Sequence, residues 1–118
     1  MSRWGLLVLV FAGSACDTDG DVAVVEDAPS PCDIAPVTTW DNFGQAFLAS
    51  QCNGCHARTS PNRHGAPLAY TFDTESEVLQ WRDVILGAAT GDAPSMPPAG
   101  GVREEDRARL TVWLTCDL

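Results

Sequence analysis

Apolar residues recur at helical spacing in three parts of the chain. Trp40, Phe43, Phe47 and Leu48 fall at i, i+3, i+7 and i+8, with Gly44 on the same face. They predict a helix over about Trp40 to Gln51. Thr38 or Thr39 stands where that helix needs a cap, and Asp41 suits its positive end. Val78, Trp81 and Ile85, flanked by Leu79 and Leu86, predict a second helix over about Glu75 to Ala89. Thr74 and Glu77 form a capping-box pair ahead of it, and Gly91 is its stop. Leu110, Trp113 and Leu114 predict a third, over about Glu104 to Thr115. Its first turn carries Glu104, Glu105 and Asp106, which the helix dipole favours, but Arg103 is a poor capping residue. No long stretch alternates with a strand period, although Ala69 to Phe72 has room for a short extended piece. Pro61, Gly65 and Pro67 make residues 58–71 mostly loop. The expectation is an all-α domain of about three helices, with long loops and a thin core that buried apolar surface from elsewhere would complete.

The first residues follow a different pattern. Met1-Ser2-Arg3 is positive, Trp4 to Ala12 is apolar, and Gly13-Ser14-Ala15 is small. This is the layout of a secretory signal over residues 1–15. The apolar run is too short for a permanent bilayer span, which takes roughly 20 residues. A buried strand is the competing reading, disfavoured by the terminal position and the cleavage pattern. Cys16 then resembles the acylated cysteine of a bacterial lipobox, although Gly13 stands where that motif prefers Leu. An ordinary signal peptidase would also cut after Ala15, and the two readings differ in whether Cys16 carries lipid. Residues 16–31 hold many acids, Gly20, Pro29, Ser30 and Pro31, and no aromatic residue. They read as an acidic disordered tether, with the folded domain over 32–118. The expected location is the bacterial periplasm or cell envelope, lipid-anchored at Cys16.

Charge narrows the partners. The 118 residues carry a net charge of −9 and no Lys. Loss of Arg3 with the signal would leave six Arg against sixteen acids, near −10. Such a surface repels nucleic acid and anionic headgroups, so membrane contact would come only through the lipid. It suits a basic docking partner, or serves solubility alone.

The chemistry concentrates in Cys52-Asn53-Gly54-Cys55-His56. Two thiols at this spacing match the two vinyl groups of haem and would become thioethers. The adjacent His56 then supplies an imidazole nitrogen to the iron. A Zn site would want four ligands, and Cys32, His64 and Cys116 are too scattered to complete one. A thioredoxin-like pair would want a βαβ context, which the periodicity does not offer. A six-coordinate haem needs a second axial ligand. Met96, the one Met beyond the signal, lies in Ser95-Met96-Pro97-Pro98. Two prolines stiffen that loop, and Met/His ligation raises the reduction potential relative to two imidazoles. The bland reading of Met96 is loop filler. His64 is a competing ligand, although a surface loop histidine is its plainer reading.

Helix, CxxCH, loop, helix, Met-Pro-Pro loop and terminal helix together resemble a class I c-type cytochrome. The likeness runs from about Trp40 to Thr115, in the short monohaem form found as bacterial exported cytochromes. It implies one covalent haem c wrapped by the helices. It implies first and last helices crossing at a glycine–aromatic contact, for which Gly44, Phe47, Leu110 and Trp113 are the matching residues. Pro67 resembles the family proline whose carbonyl accepts the hydrogen bond of the axial histidine. The last helix lacks the family's usual Ser or Thr cap. With Cys52 and Cys55 on haem and Cys16 on lipid, Cys32 and Cys116 remain. In this fold the two ends can meet, so the resemblance implies a Cys32–Cys116 disulfide, permitted by export; the alternative is two unpaired thiols at frayed ends. The implied function is electron transfer between redox protein partners, the iron cycling between ferric and ferrous. No substrate would be transformed, because both axial positions would be filled. An open haem that binds peroxide or gas, as enzyme or sensor, is the alternative if Met96 does not ligate. A Zn-bound structural module is a more distant one.

Overall fold

The computed structural model describes residues 29–116. The expected signal segment, most of the tether and the lipidation site at Cys16 lie outside the described residues. Within them the chain is mostly helical and holds no strand, compatible with the all-α expectation. The helices are α1 (Pro31–Ile34), α2 (Gln45–Gln51), α3 (Asn53–His56), α4 (Glu75–Gln80), α5 (Arg82–Ala89) and α6 (Glu104–Cys116). A π-helical turn, Trp40–Gly44, leads into α2. None of these helices is long and apolar enough to cross a membrane.

Local chemistry explains where the helices begin. The Thr39 hydroxyl accepts from the Asn42 backbone N–H at 3.2 Å, and the Asn42 side chain accepts from the Thr39 N–H at 2.8 Å. This capping box uses Asn where Glu is commoner. Thr74 and Glu77 form the second box, as their spacing predicted. The Glu77 carboxylate also accepts from the Thr71 hydroxyl and the Asp73 N–H, and it pairs with Arg58. It thereby ties the segment after α3 to the start of α4. The helix predicted over Glu75 to Ala89 is two helices, broken at Trp81, whose backbone leaves helical geometry at φ −105° and ψ 15°. The Trp81 ring packs edge-on against Tyr70, with centroids 4.7 Å apart. At α6 no Ser or Thr caps the start. The Arg103 carbonyl accepts the first helical bonds, and its guanidinium pairs with Glu105 and Asp106.

Two expectations on the loops need correction. Ala69 to Phe72 is not extended strand, because the Tyr70 N–H turns back to the Pro67 carbonyl at 3.0 Å. Pro31, assigned to the tether, opens α1, and Ser30 stands before it as the cap. Ser30 caps it by accepting from the Cys32 N–H at 3.2 Å, and Pro31 takes the first helical position. A proline there forfeits no helical hydrogen bond.

The core joins the three predicted apolar stripes. Leu48, Val78, Leu110 and Trp113 have no exposed surface, and Phe43, Phe47, Ile85 and Leu114 are buried beside them. The tightest approach is at Gly44. A Cβ there would lie 2.6 Å from the Trp113 ring, closer than any real contact allows. Trp40 adds its ring 6.0 Å from Trp113, centroid to centroid. The beginning of the Trp40–Gln51 segment therefore seats directly on α6. Beyond this crossing, α1 packs on α6, and Cys32 and Cys116 form a disulfide with Cα atoms 5.4 Å apart.

Two stability predictions follow from the crossing and the bridge. Gly44→Ala must push back the Trp113 ring or the helix, and should cost about 1–3 kcal/mol as an overpacked site. A denaturant midpoint lowered at constant slope would show this; an unchanged midpoint would contradict it. The bridge spans 84 positions. Its loss through a Cys32→Ser, Cys116→Ser double change should cost about 4 to 5 kcal/mol in the chain-entropy account. Peptide mapping without reduction should recover both cysteines in one cross-linked fragment, and two free thiols would refute the bridge.

Candidate functional site

The CxxCH segment folds as one helical turn. Cys52 ends α2 and opens α3, and its carbonyl accepts from both the Cys55 and His56 N–H groups at 3.1 and 3.0 Å. That turn brings Cys52, Cys55 and His56 to the wall of one cavity of about 260 Å³. Phe47 and α5 residues Ile85 and Ala89 give the cavity apolar walls. Cys52 and Cys55 are not bonded to each other. Burial pushes the Cys52 thiol up to about 11, with the charge of Arg107 opposing.

His56 is fixed on two sides. Its ring stacks on Phe72, with centroids 4.6 Å apart and planes at 21°. Its Nδ1 lies 3.0 Å from the Tyr70 carbonyl oxygen. A carbonyl can only accept, so Nδ1 carries the proton and Nε2 keeps the free lone pair. The Phe72 N–H returns to the His56 carbonyl at 3.1 Å, and Asn53 Nδ2 donates to the Phe72 carbonyl at 3.1 Å. Pro67 is not the histidine's partner, contrary to the expectation. Its carbonyl is taken by the Tyr70 N–H at 3.0 Å and by Arg63 Nη2 at 2.9 Å. The turn that starts at Pro67 uses that oxygen locally and sends the Tyr70 carbonyl to the histidine instead. Pro67 does line the cavity.

Met96 reaches the same cavity from the loop between α5 and α6. Its N–H and that of Ser95 both donate to the Ala88 carbonyl, at 2.9 and 2.8 Å. The Met96–Pro97 peptide bond is cis. Arg107 Nη1 donates to the Met96 carbonyl at 2.9 Å and to the Ala89 carbonyl at 2.6 Å. This one guanidinium therefore clips the methionine loop to the end of α5. The Met96 side chain is 39% exposed. His64 is exposed on the cavity rim, with a positive φ of 49°.

Sequence reasoning missed both arginines of the site. Arg107 had a legible signal, because it continues the buried stripe of Leu110 and Leu114 by one helical step. Arg63 had none, standing in a loop without periodicity. Among the described residues no Asp or Glu lines the cavity, although the chain is strongly acidic. Among the described residues no three His, Cys, Asp or Glu side chains gather as a structural metal site requires. Cys32 and Cys116 are held in their disulfide, away from any such set. Comparison with protein-family models, curated proteins and solved structures gives no match.

Proposed function

We propose that the chain is a monohaem c-type cytochrome that carries single electrons in the cell envelope. The observation that carries this reading is the convergence of four side chains on one apolar cavity. Cys52, Cys55 and His56 come from a single turn, and Met96 comes from a separate, tied-down loop. The residues fit haem in chemistry as well as in identity. The thiol pair has the spacing of the vinyl groups, and the Nδ1 bond to Tyr70 leaves the His56 Nε2 lone pair for iron. The apolar walls suit a porphyrin face. The two guanidiniums, with no carboxylate of the described residues in the cavity lining, suit its anionic edge.

Bound there, haem supplies an iron that takes up and gives back one electron. The chain's own residues do the rest. Cys52 and Cys55 anchor by thioether bonds, and the Tyr70 carbonyl holds the His56 ring in orientation and strengthens it as a donor. The Met96 thioether favours ferrous iron and raises the potential. Phe47, Ile85 and Ala89 would offer the group apolar contact. His56 and Met96 would hold the iron between them and leave it no open position, so the chain would act as a carrier and not an enzyme. Export by the segment 1–15, a lipid on Cys16 and redox partners with a basic docking surface complete this reading.

The exposure of Met96 favours one second reading, an open haem that binds peroxide or gas. Met96→Ala separates the two. In the carrier, the parent shows the weak far-red band of Met-ligated ferric haem and resists carbon monoxide. The variant should lose the band, bind carbon monoxide and imidazole far more readily, and fall in reduction potential. A Met96→Ala, His64→Ala double variant controls for His64 swinging in. A parent that already binds carbon monoxide as avidly as the variant would favour the open haem.

A further inference from the structure

Arg63 lines the same cavity and is half-buried in the loop after α3. Its guanidinium donates to four backbone carbonyls. Nη1 reaches Ala57 at 2.7 Å and Nε reaches Ala66 at 3.3 Å. Nη2 reaches Pro67 at 2.9 Å and Tyr70 at 3.0 Å. Among the described residues, no carboxylate pairs with it. Three of these contacts close the loop upon itself. The fourth goes to the very oxygen that accepts from His56 Nδ1.

We infer that Arg63 is a positioning residue that sets the donor strength of His56 by competing for the Tyr70 carbonyl, and thereby raises the reduction potential of the site. The inference rests on the haem reading above. A carbonyl oxygen has two lone pairs, so both donors can be seated at once. They draw on the same electron density, however, and a charged donor takes the larger part. The Nδ1–H bond of His56 is weakened accordingly. A histidine whose Nδ1–H donates a weaker hydrogen bond keeps that proton more fully on its ring, has less imidazolate character and is a weaker ligand. A weaker nitrogen donor stabilises ferric iron less, which favours the reduced state. The positive charge beside the cavity acts in the same direction through space. The two contributions can be separated, because the first changes the bond between His56 and iron and the second acts mainly on the potential.

The test uses the full-chain haem-loaded protein, the parent against Arg63→Gln and Arg63→Lys. Lysine keeps the charge but lacks the planar fork that reaches several carbonyls. Potentials are measured with Met96 in place. The iron–imidazole stretch is read by resonance Raman in the ferrous state, with Met96→Ala added to all three to open the sixth position. Both substitutions should move the stretch to higher frequency. Both should lower the potential, Gln further than Lys. An unchanged stretch in variants that carry haem and melt like the parent would overturn the role of Arg63 and leave the haem reading standing. Absence of covalent haem in the parent would overturn both. Should the variants fail to retain haem, proton NMR of the ferrous parent decides. The His56 Nδ1 proton should show through-space contact with an Arg63 guanidinium proton, and its absence would refute the shared carbonyl.

Discussion

The backbone of Gly44 rests against the indole of Trp113 more closely than any side chain would permit, and both walls of the cavity take their positions from that contact. From Gly44 the chain continues through α2 directly into the CxxCH turn, with Cys52 belonging to both helices. One helical step and more before Trp113, α6 carries Arg107, which holds the Met96 carbonyl and the end of α5. The cysteine–histidine wall and the methionine wall are thus built outward from the same helix crossing. The Cys32–Cys116 bridge fastens the far end of α6 to α1 and limits how far the crossing can open. Among the described residues the ten buried core side chains are shared among short helices, so a covalent tie between α1 and α6 adds to a small core.

What could be read from the residues alone follows the range of the interactions involved. The three apolar stripes and the Thr74–Glu77 box depend on neighbours within a turn or on one dense periodic face, and are legible for that reason. The Gly44–Trp113 contact joins distant parts of the chain, and only the family resemblance implied it. The break at Trp81 was not legible, because Val78, Trp81 and Ile85 read as one continuous stripe. Its place coincides with the packing of Trp81 on Tyr70, a residue from a loop whose path no periodicity records. The same loop displaced Pro67 from the histidine in favour of Tyr70. A family proline can be matched by position, yet which carbonyl faces the ring depends on the turn Pro67 starts and on Arg63, and both are tertiary facts. Ser30 and Pro31 look like tether by composition, but a serine cap, a proline at the first position and a bridged Cys32 open a helical turn there.

The distribution of charge bears on the proposed function. Sixteen acids give the chain its character, and many sit at helix starts, as with Glu75, Glu77, Glu104, Glu105 and Asp106. Among the described residues none enters the cavity wall, where Arg63 and Arg107 stand instead, each held by backbone carbonyls. An arginine so held remains charged after its bonds to carbonyls are made, and in a poorly hydrated site its field is weakly screened. Under the haem reading, that local field would favour the reduced iron and an anionic porphyrin edge, while the acidic exterior would suit a basic docking partner or serve solubility alone.

The covalent link between Cys52, Cys55 and haem is the claim on which the rest of the account stands. The exported protein, purified from a host able to mature c-type cytochromes, should be unfolded and extracted with acidic organic solvent. The haem absorbance should stay with the polypeptide, and both cysteines should be recovered in one haem-bearing peptide with His56. Colour that passes entirely into the solvent, or a colourless protein with two free thiols at Cys52 and Cys55, would contradict it.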